Sequence, residues 1–246
     1  MIIKEAFSEF EKPSVAIDVV LTRVVDSTEN TRNRVASKGL QVLLVKKEEE
    51  TEWYLPGTIL RLGETPSDAI ERIINSKVDI KDIKLEQLYT VADNPARDER
   101  GHIISIVYIG KISNETSLSN ELARVGYKSQ WFWVEKSKET ESNRHFVYED
   151  YTEVLQGLKY DHSKIIDDTV KRLQKKLMHT DVAFDFVGKE FTLNELENTF
   201  VAINEKSIPG FRRVIAPKVE GTGKRVSGKV YRPAELFKKK ELNRND

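Results

Sequence analysis

The feature that most limits the fold of this chain is a change of hydrophobic period near residue 157. Before that point, apolar and β-branched residues come in short runs. These are SVAIDVVLTRVV over 14–25, LQVLLVK over 40–46, Ile83–Val91, Ile103–Ile112 and the short aromatic Trp131–Val134. Alternation and β-branching of this kind predict strands. After Tyr160 the spacing becomes helical, first through Ile165, Val170, Leu173, Leu177 and Met178, then through Leu193, Leu196, Phe200 and Ile203. A chain of 246 residues is long enough for two small domains. We therefore expect an α+β protein, with a sheet-rich domain over 1–157 and a helical domain over 158–246.

Between the strands the chain gives one clear helix start. Leu55-Pro56-Gly57 leads through Gly63-Glu64 to Thr65, a good N-cap, with Pro66 at the first helical position and Asp68 in the first turn. Ala69, Ile70, Ile73 and Ile74 then predict an amphipathic helix over Pro66–Lys77. Asp26–Gly39, Lys47–Glu52 and Ser137–Asn143 are polar and read as loops.

The helical part ends in a basic segment. Thr192 with Glu195 three residues on predicts a capping box. Gly210–Ala216 predicts a short third helix stopped by Pro217. Extended segments around Val219 and Val230-Tyr231 flank the glycine-punctuated Gly221–Gly228, which predicts a hairpin. Three helices followed by a basic hairpin is the order of a winged helix. From Lys206 to Lys240 there are eleven basic residues against two acids, whereas the whole chain has zero formal charge. A cationic end on an acidic body suggests a nucleic-acid surface, although a basic segment can also be a solvated tail. Arg212 and Arg213 on the third helix are candidates for the major groove, with Phe211 and Ile215 turned to the core. Lys224, Arg225 and Lys229 on the wing suit phosphates, and Arg232 can support them.

Other classes are excluded by composition. No apolar run approaches the ~20 residues of a membrane-spanning helix. There is no cysteine, and His102, His145, His162 and His179 have no ligand spacing, which argues against a structural metal site. The absence of thiols, and a mixed, charged Met1–Pro13 unlike a signal peptide, fit a cytoplasmic protein.

The Glu64–Ile80 segment, with Thr58 ahead of it, resembles a Nudix box, Gly-x5-Glu-x7-Arg-Glu-U-x-Glu-Glu-x-Gly-U, with U aliphatic. Glu64 and Arg72 stand at the box spacing. The opening glycine is Thr58, the glutamate after the arginine is Ile73, the glutamate pair is Ser76-Lys77 and the late glycine is Asp79. Such a box holds divalent metal through several carboxylates, and hard oxygen ligands are required for magnesium. Ser76 is a poor ligand and Lys77 puts a positive charge where a cation would sit, so no metal and no catalytic residue are expected.

Further segments extend the resemblance from about Ser14 to Lys238. They are Leu85–Thr90, the turn Asn94-Pro95-Ala96-Arg97-Asp98-Glu99-Arg100-Gly101, Leu158–His162, Phe191–Leu196, Phe211-Arg212-Arg213 and Tyr231-Arg232-Pro233-Ala234. In this order they resemble the bacterial Nudix-related transcriptional regulators. The resemblance implies a Nudix-like α/β/α sandwich that senses ADP-ribose, a related NAD metabolite or a sugar. It also implies a winged helix that binds operator DNA, and a homodimer. Thr58, and Ser207-Ile208-Pro209-Gly210 ahead of the third helix, depart from the family pattern.

For a ribose-bearing anion the candidate effector residues are Trp53 as a stacking surface, Arg61, Arg97 and Arg100 for phosphates, Asp98 for a ribose hydroxyl, and the remaining box carboxylate Glu64. Trp53 also suits a core position, and Arg97–Arg100 also suits a surface ion-pair turn. Beside the regulator stand two alternatives, an active ADP-ribose pyrophosphatase with an accessory domain and a protein-interaction adaptor. The basic wing argues against the adaptor.

Overall fold

The computed structural model describes residues 11–27, 38–78, 80–116, 126–136, 144–148, 154–155, 157–177, 179–226 and 233–241. Among the described residues, eight strands form one mixed sheet in the order β4-β5-β1-β2-β6-β7-β8, with β3 paired to β1. They are β1 (Ser14–Asp26), β2 (Lys38–Lys47), β3 (Gly57–Ile59), β4 (Ile83–Val91), β5 (Ile103–Ile112), β6 (Tyr127–Lys136), β7 (Arg144–Tyr148) and β8 (Val154–Leu155). β1 and β5 run parallel, and the other pairs are antiparallel.

The central strands are apolar on both sides because both sides are covered. Ile17, Val19, Leu21, Leu43 and Val45 meet Ala69, Ile70 and Ile73 of α1 (Pro66–Ile73) on one face. Val20, Val42, Leu44 and Phe132 meet Ile165 and Ile166 of α2 (His162–Leu177) on the other. Period two in the strands thus makes an α/β/α sandwich.

α1 starts with a complete capping box. Thr65 Oγ1 accepts from the Asp68 amide at 3.2 Å, and the Asp68 carboxylate accepts from the Thr65 amide at 2.9 Å. The expected helix to Lys77 is α-helical only to Ile73, and Ile74–Val78 is a π-turn. The wider π step lets Val78 bury completely while Lys77 points into the cleft beside β3.

The second half of α2 belongs to a different core. Val170, Leu173 and Leu177 pack with the 3₁₀ turn Val182–Asp185, with Leu196, Phe200 and Ile203 of α3 (Leu193–Asn204), and with Phe211 and Ile215 of α4 (Phe211–Ile215). Val24 and Leu40, from the paired ends of β1 and β2, join the same core. Each fully buried Leu, Ile or Phe here contributes about 1.5–3 kcal/mol. α2 is therefore anchored at one end to the sheet and at the other to the helical part, on both sides of any division drawn at residue 157.

Two expectations for the C-terminal part are corrected. Thr192 Oγ1 caps α3 by accepting from the Glu195 amide at 3.1 Å. The Glu195 carboxylate, however, accepts from the Asn114 side chain and pairs with Lys38 at 3.8 Å, so only half of the capping box forms. The Glu195 carboxylate is engaged by these partners instead of the Thr192 amide. The hairpin strands are β9 (Val219–Arg225) and β10 (Glu235–Lys239), so Gly221–Arg225 is strand rather than turn, and Val230-Tyr231 lies outside the described residues. Phe237 sets this register. It packs on the helical core and exchanges backbone hydrogen bonds with Phe191 at 2.8 and 2.9 Å. A 3₁₀ turn, Ala216–Lys218, carries the chain through Pro217 into β9.

Candidate functional site

A cleft of about 150 Å³ opens where β1, β3 and the start of α2 meet. Gly57 makes it possible. A Cβ there would lie 2.2 Å from Asp18 Oδ1 and 3.1 Å from the Ile17 carbonyl, so β3 approaches β1 only because that side chain is missing. The walls carry three aromatic rings, Tyr54, Tyr127 and Tyr160, and five cations, Lys47, Lys77, Arg97, Arg100 and Lys159. Asp18, Glu50 and Asp98 supply the acids. Aromatic faces beside convergent cations suit a planar group carrying phosphates.

The start of α2 is riveted to this cleft. Arg97, with a side chain only 6% exposed, donates to both Asp161 carboxylate oxygens at 3.0 and 2.5 Å and to Ser105 Oγ at 2.7 Å. The Leu55 amide donates to His162 Nδ1 at 2.8 Å, and the Lys159 amide donates to the Trp53 carbonyl at 2.9 Å. Because Nδ1 accepts, His162 is neutral. Its burial pushes its pKa down, against the pull of Asp18, whose Oδ1 lies 4.0 Å from Nε2. Tyr160, with φ at 60°, turns its ring toward the Arg100 guanidinium, 4.8 Å from the ring centroid. Arg100 itself holds Asp98 through Nε and Nη2 at 2.8 and 2.6 Å, which keeps that carboxyl below its usual range.

The expected effector residues divide evenly. Arg97, Asp98 and Arg100 line the cleft, whereas Trp53, Arg61 and Glu64 are not among its lining residues. Trp53 is buried in the sheet core, edge-on to Phe132 at 5.0 Å, with the Lys46 ammonium over its ring. It is a core aromatic rather than a stacking platform. The Arg61 side chain is exposed, and its amide donates to Glu64. Glu64 is held bidentately by Arg72, at 2.7 Å to each oxygen, and its pKa is lowered to about 2 chiefly by that guanidinium. Arg72 also donates to Thr58 Oγ1 at 2.7 Å, tying the 58–64 loop to α1.

Asp18, Tyr54, Tyr127 and the adjacent Lys159, Tyr160 and His162 also line the cleft, brought together from four distant stretches of chain that no sequence spacing links. Lys77, at a glutamate position of the box, lines the same cleft. Its ammonium donates to the Gly57 carbonyl at 2.5 Å and lies 4.8 Å from the Tyr127 ring, and burial pulls its pKa down to about 8.

This donor set does not fit a divalent metal. Both Glu64 oxygens are engaged by Arg72, Ser76 Oγ is turned to the Ile73 carbonyl at 3.4 Å, and Lys77 brings a positive charge. Among the described residues, no group of three or more His, Asp or Glu side chains is placed to hold one.

The second surface lies on the helical part. Arg212, Arg213 and Val214 are exposed on α4. A groove of about 400 Å³ runs between α4, the start of α3 and the hairpin, and its lining includes Thr192, Asn194, Arg212 and Arg225. The local charge is lower than the run of basic residues suggests. Lys224 pairs with Glu190 at 2.7 Å, Lys218 and Lys239 pair with Asp181 at 3.0 and 2.9 Å, and Lys238 pairs with Glu220 at 3.0 Å. Among the described residues, no ion pair is recorded for Arg212, Arg213 or Arg225. Lys229 and Arg232 lie outside the described residues.

The fold is thus a Nudix-type α/β/α sandwich continued by a winged helix, in which α3, α4 and the β9–β10 hairpin follow in order. The chain is 23% identical over 241 residues to an ADPR responsive transcriptional repressor, NtrR, of Acinetobacter baylyi, covering 94% of this chain and 84% of that one. It is 35% identical over 78 residues to an ADP-ribose pyrophosphatase of Methanocaldococcus jannaschii, covering 30% of this chain and 46% of that one. Among solved structures it superposes on a MutT/nudix family protein from Enterococcus faecalis with a TM-score of 0.69 and 22% identity, covering 97% and 92% of the two chains. Shewanella oneidensis NrtR complexed with a 27mer DNA gives 0.67 and 24%, covering 92% and 93%. No protein-family model matches the sequence. No described helix is long and apolar enough to cross a membrane.

Proposed function

We propose that this chain is a cytoplasmic, homodimeric transcription regulator of the repressor type. Residues 158–246 bind operator DNA and residues 1–157 sense ADP-ribose or a related NAD metabolite, with a sugar as the further candidate. The observation that carries this reading is the match to the NtrR repressor, which spans both parts of the chain. Arg212 and Arg213 meet base edges or phosphates, Arg225 and Lys224 meet phosphates, and Lys229 and Arg232 extend the wing. Arg97, Asp98 and Arg100 contact the effector, Tyr54, Tyr127 and Tyr160 offer the aromatic faces, and Glu64 and Arg61 shape the loop beside it.

The effector is bound without being cleaved. A Nudix hydrolase activates water and neutralises pyrophosphate through clustered carboxylates on metal. Here the surviving carboxylate is neutralised by Arg72, and the glutamate positions are Ile73, Ser76 and Lys77. The pyrophosphatase of Methanocaldococcus jannaschii is the specific reason to test the rival reading.

Fluorescence anisotropy with the duplex upstream of the gene, against a scrambled duplex and across salt, is the test. Preference for the upstream duplex that ADP-ribose reverses, with the ADP-ribose recovered intact, is expected. Equal affinity for both duplexes would reject the regulator, and release of AMP with magnesium would establish the hydrolase.

A further inference from the structure

Lys77 stands where the box should carry a carboxylate, yet it is not a passive loss. The π-turn aims its side chain into the cleft. Among the described residues its recorded partners are the Gly57 carbonyl and the faces of Tyr127 and Tyr54, with no carboxylate in ion-pair contact. One of its three donors is used, which leaves two for a ligand. A half-buried ammonium facing aromatic rings and a carbonyl is incompletely compensated, and an anion entering the cleft supplies the missing charge. Arg97 is committed to Asp161, Arg100 to Asp98, and Lys47 and Lys159 pair with Glu50 at 3.7 and 3.3 Å, so among the described residues Lys77 is the cleft cation without a carboxylate in ion-pair contact, Asp18 acting on it only at longer range.

We propose that Lys77 receives a phosphate of the effector directly, so that a nucleoside-diphosphate ligand is held by an ammonium where a hydrolase would hold it through metal. The inference rests on the effector reading above and adds two properties to it. Binding needs no divalent ion, and one of the substitutions that dismantle the metal cage supplies the anion receptor. Lysine suits the role because its compact charge and rotatable donors follow a tetrahedral phosphate.

Calorimetric titration of ADP-ribose and of adenosine into the full chain, in EDTA and then in excess magnesium, provides the test. Wild-type protein is expected to bind ADP-ribose equally in both buffers. Lys77→Gln keeps a donor for the Gly57 carbonyl and is expected to weaken ADP-ribose tenfold or more, without changing its affinity for adenosine. Lys77→Arg restores the charge and is expected to recover most of the loss. Binding by wild type that disappears in EDTA, or Lys77→Gln binding ADP-ribose like wild type, overturns the inference while leaving the effector reading intact. Failure of wild type to bind ADP-ribose in either buffer overturns the effector reading and the inference with it.

Discussion

Replacing Asp161 by asparagine separates what holds the cleft together from what the cleft is for. Asp161 and Arg97 form a bidentate pair, with side chains 28% and 6% exposed. Removing one partner of a fully buried pair costs about 3–5 kcal/mol, because the other charge is left uncompensated. Asp161 is more than a quarter exposed and asparagine keeps one acceptor, so the expected loss is about 2 kcal/mol. For a chain of this size that is about 4–8 °C in melting temperature. Urea unfolding of wild type, Asp161→Asn, Arg97→Met and the double variant gives the coupling energy. We expect the stability to fall and the affinity for ADP-ribose to rise, because the freed guanidinium already lines the cleft. A coupling below about 0.5 kcal/mol, the spread usual for independent sites, would refute the clamp. So would an affinity that falls together with stability.

Other expectations concern single residues. Arg212→Ala should cost about 1–3 kcal/mol of operator affinity and flatten discrimination between sequences, whereas Lys224→Ala, already paired with Glu190, should cost less; anisotropy titrations compare them. Gly57→Ala should destabilise the chain and abolish ADP-ribose binding, because the new methyl meets Asp18 and the β1 backbone; wild-type affinity in that variant would place the ligand elsewhere. His162 is neutral and its folded pKa lies below the unfolded value near 6.5. At high pH both states are neutral and nothing changes. As the pH falls from about 6.5 toward the folded value, the unfolded chain alone gains the proton, so stability should drop by up to about 1.4 kcal/mol per unit. His162→Asn keeps an acceptor for the Leu55 amide and should remove this slope from urea midpoints measured between pH 8 and 5.5.

Much of the frame was legible because its signals are local. β4 and β5 have the expected limits, and α1 and α3 begin where Thr65 and Thr192 predict. Phe211 and Ile215 bury as their helical spacing implies. What was lost depends on distant partners. β3 has three residues and exists only because Gly57 lets it approach β1. The π-turn that re-aims Lys77 has no propensity signature. Trp53 reads equally well as a stacking ring or a core ring, and Phe132, from a strand almost eighty positions away, decides for the core. Glu64 keeps the spacing of a metal ligand while Arg72, at the same motif spacing, engages both its oxygens. The cationic run of 206–240 is offset in space by Asp181 and Glu190, which precede it in the chain.

We propose that the cleft and the wing are coupled through α2, whose Ile165 and Ile166 pack on the sheet while Val170, Leu173 and Leu177 pack with α3 and α4. Titrating ADP-ribose in EDTA into the free chain, and then into its complex with the upstream duplex, measures that coupling from the ligand side. Linkage requires the complex to bind ADP-ribose more weakly by the same factor by which ADP-ribose weakens DNA affinity. One and the same dissociation constant in both titrations would mean that the two surfaces share a polypeptide and nothing more.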